Sequence, residues 1–209
     1  MDLHSHTMWS GDSTTTPDEI AEAVAASGID VLCITDHNAI KGAVQLSGQL
    51  PCRVVIGEEL KTHAGEIIGL FLTEHLPFGL APREAATSIR AQGGVVYVPH
   101  PFDPMRRNLS EAALDDLVGA GLVDAIEVIN AKTSMRSLNE RAAQYGRTHG
   151  LLAGAGSDAH VPDALGAAYV EMPDFDGPAA FLAALAQAVP VGHHWDEARP
   201  WTPRIIPSV

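Results

Sequence analysis

Histidines, aspartates and glutamates recur in this chain where apolar runs stop. The opening stretch MDLHSHTMWSGDS places His4, His6 and Asp12 in the first dozen residues. Further on, DVLCIT runs into Asp36 and His37, VVIG into Glu58 and Glu59, VVYVP into His100, AIEVI into Asn130, and LLAGAGS into Asp158 followed by His160. Residues two apart on extended chain point to the same side, with Cα atoms about 7 Å apart, so His4 and His6 can reach one cation. Asp158 and His160 repeat that spacing. Imidazole and carboxylate without thiolate suit zinc, iron or manganese better than calcium, and several acids can keep two or three ions close together. The chemistry expected is that of a multinuclear hydrolytic centre.

Such residues converge only if the elements that carry them end on one face. From Asp2 to about Gln187, short apolar runs alternate with alanine-rich helical patterns, the signature of βα units on a parallel sheet. The candidate strands are DLH, DVLCIT, RVVIGEE, EIIGLFL, GVVYVPH, AIEVIN, LLAGAGS and AAYVEM. TPDEIAEAVAAS opens with a threonine cap and proline at the first helical position, and APREAATSIRAQGG ends on glycines. So many units in a chain of 209 residues favour a βα barrel over an open doubly wound sheet. In either, the carboxyl ends of the strands gather where sites are built. One α/β domain is expected over residues 1–190, and residues 191–209 read as an irregular C-terminal segment packed on it.

The charge balance is 13 basic against 26 acidic residues, a formal net of −13, which argues against stable nucleic-acid binding. Three divalent cations would return roughly +6 of that. Cys33 and Cys52 are the only cysteines, and Cys33 in its apolar run reads as a buried thiol, in keeping with a cytoplasmic protein. No signal peptide or membrane-spanning stretch is visible, and no membrane partner is expected. The oligomeric state cannot be read from one chain.

These motifs together resemble the PHP (polymerase and histidinol phosphatase) superfamily of metal-dependent phosphoesterases. DLHSHTMWSGD is similar to its first motif, ITDHN to its second, GEE to its third, PHPFD to its fourth and GSDAH to its last, in order from residue 2 to residue 160. The resemblance implies a distorted seven-stranded (β/α)7 TIM-like barrel with a trinuclear metal site at the strand carboxyl ends. It implies that His4, His6, Glu59 and Asp158 hold a first ion. Glu59 would bridge to a second ion that His100 helps to hold, and Asp12, His37 and His160 would hold a third. The family often has a histidine where Glu66 stands in GEIIG; a glutamate can ligate the same metals, and His63 is a rival for that place.

The implied reaction is phosphoester hydrolysis of a small phosphate monoester or nucleotide-like substrate. Water between two ions, zinc, iron or manganese, about 3.5–4 Å apart loses a proton near neutral pH and attacks phosphorus in line. Asp36 is placed to orient a ligand imidazole or to act as an acid for the leaving group, and orientation is the commoner role. His160 is counted with it among candidate catalytic residues. Arg106, Arg107 and Lys132, in loops after the strands, are candidate phosphate clamps, and Asn130 ends a strand beside them. His75, His149, His193 and His194 are read as surface or helix-end residues, and Trp9 as core or rim packing. Two alternatives stand: an amidohydrolase-type metal hydrolase, against which the absence of a lysine in GVVYVPHP weighs, and a non-catalytic metal-bound module.

Overall fold

The structure, a computed structural model, describes residues 1–195. Its main sheet is a curled α/β sheet of six strands in sequence order: β1 (Val31–Ile34), β2 (Arg53–Thr62), β3 (Gly65–Leu70), β4 (Val95–Val98), β5 (Ala125–Asn130) and β6 (Leu152–Gly156). The helices are α1 (Pro17–Ser27), α2 (Lys41–Leu46), α3 (Pro82–Ala91), α4 (Glu111–Gly119), α5 (Arg136–His149) and α6 (Gly177–Leu185). The helix signals act as expected at α1, where Thr16 and Glu19 form a reciprocal capping box, Pro17 opens the helix and Gly28 closes it in the left-handed region. Its apolar stripe, Ile20 and Val24, is buried with Leu32 and Ile34 of β1.

Two expectations about the sheet need correction. The βα repetition breaks between β2 and β4: β3 runs antiparallel to both neighbours, and His63–Ala64 close a hairpin from β2 into it. A short polar turn leaves no length for a crossover helix, so the chain reverses instead. The DLH segment is also not a regular strand. It forms isolated parallel bridges, Asp2 with Leu32 and Ser5 with Ala159. Residues 2–6 nevertheless exchange backbone hydrogen bonds with both edges of the sheet, Cys33 N to Asp2 O (2.9 Å) on one side and Asp158 N to His4 O (2.8 Å) on the other.

The first residues of the segment expected to be irregular from residue 191 are regular. β7 (Ala168–Glu171) pairs antiparallel with β8 (Val189–Gly192), so Val191 and Gly192 are strand residues. Pro190 sits in this two-stranded edge ribbon, where a missing N–H is tolerated. The Trp195 N–H then donates to Ala131 O, tying the chain to the end of β5. Residues 196–209 of the expected tail lie outside the described residues.

Three apolar clusters fill the molecule. One, around Leu3, Ile68, Tyr97 and Phe181, lies beneath the site; the other two pack α3, α4 and α5, and α1 and α2, on the sheet. Cys33 is fully buried and Cys52 half-buried, both as free thiols.

Candidate metal centre

The carboxyl ends of β1, β2, β4 and β6 and the start of β3 meet the N-terminal segment in one crowded polar site. Buried His4 and His6 point Nε2 atoms at each other, 3.0 Å apart, and both lie 3.3 Å from Glu59 Oε2. His100 Nε2 is 2.9 Å from Glu59 Oε1, and His37 Nδ1 is 3.1 Å from Glu59 Oε2. Asp158 Oδ1 lies 3.5 Å from His6 Nε2 and 3.4 Å from His160 Nδ1. Asp12 Oδ2 stands 3.1 Å from His37 Nε2 and 3.5 Å from His160 Nε2.

Glu66 joins the cluster because β3 runs backwards. A strand antiparallel to β2 brings its first residues, not its last, to the site, and the Lys61–Glu66 register puts Glu66 on the face of Glu59. Its carboxylate lies 3.7 Å from His100 Nε2 and 3.8 Å from His37 Nδ1. The rival, His63, sits exposed in the hairpin turn.

Two of these residues are held in unusual backbone. His100 and Asp158 have φ of 28° and 51°, in the left-handed region, just past the ends of β4 and β6. Non-glycine residues persist there when surrounding structure fixes them. The His100 N–H donates to Glu127 Oε2 at 2.6 Å, and the Asp158 N–H to the His4 carbonyl at 2.8 Å.

Glu127 is a functional candidate that reasoning from the strand ends passes over. Fully buried in β5, it lies 3.2 Å from His4 Nδ1 through Oε1, while Oε2 accepts from the His100 N–H and from Asn130 Nδ2 (2.9 Å). A bulge between Glu127 and Ile129 shifts the alternation, so that residues 127 and 130 reach each other although three apart. The available signal was a lone carboxylate inside the apolar run AIEVIN. Asp103, also buried, is a second such residue: it accepts from Met105 N, Thr133 Oγ1, Ser134 N and Ser134 Oγ, fastening the loop after β4 to the loop after β5.

Three expected roles are corrected. Both Asp36 oxygens are taken up by Thr7 and not by an imidazole: Oδ1 accepts from Thr7 N (2.6 Å) and Oδ2 from Thr7 Oγ1 (2.7 Å), so it fastens the first loop. Burial pushes its carboxyl up to about 6 against these bonds. Asn130 is not free for substrate, because Nδ2 is engaged by Glu127 and, at 3.3 Å, by Asp158, and Oδ1 accepts from Lys132 N. Arg107 is exposed and contributes only its carbonyl, to Glu66 N, since its loop turns the side chain outward. Its neighbour Arg106 does reach the cluster, 2.9 Å from Asp158 Oδ2, and Lys132 Nζ lies 2.9 Å from His160 Nδ1.

Of the histidines read as bland, His75 has a partner, Glu58 at 2.8 Å on the far face of β2, and His149 lies on Tyr145 with ring centroids 4.2 Å apart. The His193 N–H donates to Ala167 O, and Trp9 packs on the α1–α2 core. A cavity of about 730 Å³ opens at the other end of the strands, lined by Met1, Val31, Arg53 and Phe175, and holds none of the cluster.

The donor set fits divalent metal. Ligand atoms of His6, Asp12, His37 and His160 lie within 4.8 Å of one another, as do those of His4, His6 and Glu59, of His4, His100 and Asp158, and of His37, Glu59 and Glu66. His37 Nδ1 and His100 Nδ1 are buried without a hydrogen bond among the described residues. Electrostatics point the same way. Burial, then the neighbouring Glu59, pushes Glu66 up to about 7, as expected of two acids crowded together. Burial would raise Glu59 too, but His4, His100 and His6 override it and hold the carboxyl well below the usual range. Burial, helped by His160, lowers His6 to about 4, which favours the neutral imidazole that ligates metal.

The comparisons with known proteins agree with this geometry. The PHP domain model matches residues 2–65, and the PHP-associated model matches residues 136–189. An uncharacterized protein of Methanocaldococcus jannaschii, MJ1587, is 42% identical over 144 residues, covering 62% of this chain and 81% of its own. The chain belongs to the PHP family. A second M. jannaschii protein, MJ0417, also uncharacterized, is 35% identical over 87% of this chain and 77% of its own. Among solved structures, a two-domain protein from Bacteroides vulgatus containing a predicted PHP-like metal-dependent phosphoesterase superposes with a TM-score of 0.70 at 18% identity, over 92% of this chain and 64% of that one, a likeness of fold. No helix among the described residues is long and apolar enough to cross a membrane.

Proposed function

We propose that this PHP protein hydrolyses a phosphoester bond in a small phosphorylated or nucleotide-like substrate with the help of two or three divalent ions. The observation that carries the reading is the placement of two cations beside the metal-friendly cluster: Arg106 and Lys132 flank Asp158, with side chains only 24% and 25% exposed. A site built to cleave a neutral amide or ester has no use for two half-buried positive charges next to metal; an anionic phosphoryl group does.

In this reading His4, His6, Glu59 and Asp158 hold a first ion, Glu59, His100 and Glu66 a second, and Asp12, His37 and His160 a third. When bound, the ions supply Lewis acidity and lower the pKa of water near neutrality. The protein's own groups do the rest. Glu127 fixes His4 so that Nε2 faces the cluster. Arg106 offers a planar donor pair to the non-bridging phosphoryl oxygens, and Lys132 a point charge.

The test is a substrate panel run with Mn²⁺, Zn²⁺ or Fe²⁺ on phosphoesters, carboxylic esters and amides, with Arg106→Ala beside the parent protein. We expect turnover on phosphoesters alone and a loss of about 1.5–3 kcal/mol of transition-state stabilisation, a tenfold to hundredfold drop in kcat/KM, on removing the charge-assisted contact. Turnover confined to amides, or an Arg106→Ala protein with full kcat/KM on the best phosphoester, would reject the reading.

A further inference from the structure

His160 has a conflict at one ring nitrogen. Its Nδ1 lies 2.9 Å from the Asp158 carbonyl oxygen, which can only accept, and 2.9 Å from Lys132 Nζ, which as an ammonium can only donate. Nδ1 needs a proton for the first contact and a lone pair for the second, so it makes one or the other. The opposite nitrogen, Nε2, faces Asp12 Oδ2 at 3.5 Å within the set His6, Asp12, His37 and His160. A ligating Nε2 must offer its lone pair, which puts the proton on Nδ1 and selects the carbonyl contact. Lys132 therefore bonds only the tautomer of His160 that cannot hold metal through Nε2.

A second contact acts in the same sense. Lys132 Nζ is 3.8 Å from Asp158 Oδ1, the oxygen turned toward His4, His6 and His160, whereas Oδ2 is occupied by Arg106 and Asn130. The ammonium thus stands where positive charge in the cluster would repel it. Resting on the metal reading above, we propose that Lys132 and a cation on Asp12, His37 and His160 are mutually exclusive partners of His160. Cation binding turns the ammonium away from His160, leaving it beside Arg106 for the substrate phosphate. By linkage the effect is reciprocal: Lys132 weakens the third site until an anion engages its ammonium. The third ion and the phosphate clamp are then completed together.

Zn²⁺ titration of the metal-free 209-residue chain tests this, by calorimetry and by ¹⁵N NMR of the imidazole rings. Lys132→Met should tighten the weakest Zn²⁺ step about tenfold, within the usual range of coupling between sites, and shift the step that uses Asp158 by less. The same variant, once loaded, should bind inorganic phosphate more weakly. In the parent protein, His160 should pass from the Nε2–H to the Nδ1–H tautomer across the weakest step. An unchanged or weaker last step in Lys132→Met overturns the proposal while leaving the metal reading intact. A His160 that is Nδ1–H throughout in the parent protein does the same, and that measurement needs no variant. Failure to bind Zn²⁺ at all removes both.

Discussion

Asp36 is the residue whose buried charge most directly sets a pH dependence. Its carboxyl rises from 3.8 to about 6 on folding, chiefly by desolvation. The native state therefore holds the proton more tightly than the unfolded chain, and the stability linked to it is full below pH 4 and is lost as pH rises through about 6. A shift of about two units corresponds to about 3 kcal/mol. Asp36→Asn keeps an acceptor for the Thr7 N–H and turns its amide to Thr7 Oγ1, so the metal-free variant should match the parent protein at pH 4 and exceed it by up to about 3 kcal/mol at pH 7. Urea unfolding across that range measures the gap, and a gap independent of pH would contradict the argument. Glu127 makes a different case, a carboxylate whose two oxygens face only donors, Oε1 the His4 ring and Oε2 the His100 N–H and the Asn130 amide. Glu127→Gln can serve the His4 Nδ1–H, but its amide then faces the His100 N–H and the Asn130 amide as a third donor. Metal affinity should fall about tenfold to a hundredfold, as for other groups that orient ligands. Calorimetry reads this directly, and an unchanged affinity would remove Glu127 from the centre.

At the scale of elements, the site depends on how closely the N-terminal segment lies against β6. A Cβ on Gly156 would fall on His4 Cβ and within 2.7 Å of Glu127 Oε1. His4 backbone and the Glu127 carboxylate are both fixed by hydrogen bonds, so neither can yield cheaply. Gly156→Ala should cost about 1–3 kcal/mol of stability, the usual effect of overpacking, and should also weaken metal binding by displacing His4. Chemical denaturation checks the first and metal titration the second; a stable variant with unaltered affinity would show that the contact is slack. The same scale accounts for Glu66. A parallel β3 would have delivered Gly69–Leu70 to the site, and only the hairpin after Thr62 presents Glu66 there.

Across the whole molecule, a net charge of −13 and a core of clustered carboxylates make the metal-free state electrostatically costly. Divalent cations that bind only the folded chain should stabilise it by about 2.7 kcal/mol for each site held at a hundredfold excess over its Kd. The expected result is a Tm that climbs with the logarithm of Mn²⁺ or Zn²⁺ concentration and falls back on adding a chelator. A Tm indifferent to both would mean that no structural metal is bound. The two loops joined through Asp103 carry Arg106 and Lys132 and so position both cations as one unit.

How much of this was legible beforehand differs by scale. The ligand types, their placement after apolar runs and the capped helices are local properties, since residue chemistry, strand alternation and cap bonding act over a few residues. The sequence by itself therefore determined the family, the α/β class and the histidines and carboxylates, Glu66 and Glu127 apart, that could meet in a cluster. The tertiary structure alone decided which of them face one another and how the rest are used. The reversal of β3 carried Glu66 in and left His63 outside. The bulge in β5 turned Asn130 inward, and the distant Glu127 became the partner of His4. Loop geometry chose Arg106 over Arg107, and Thr7 took Asp36. These outcomes rest on strand direction, register and contacts between residues far apart in the chain, which no local pattern encodes.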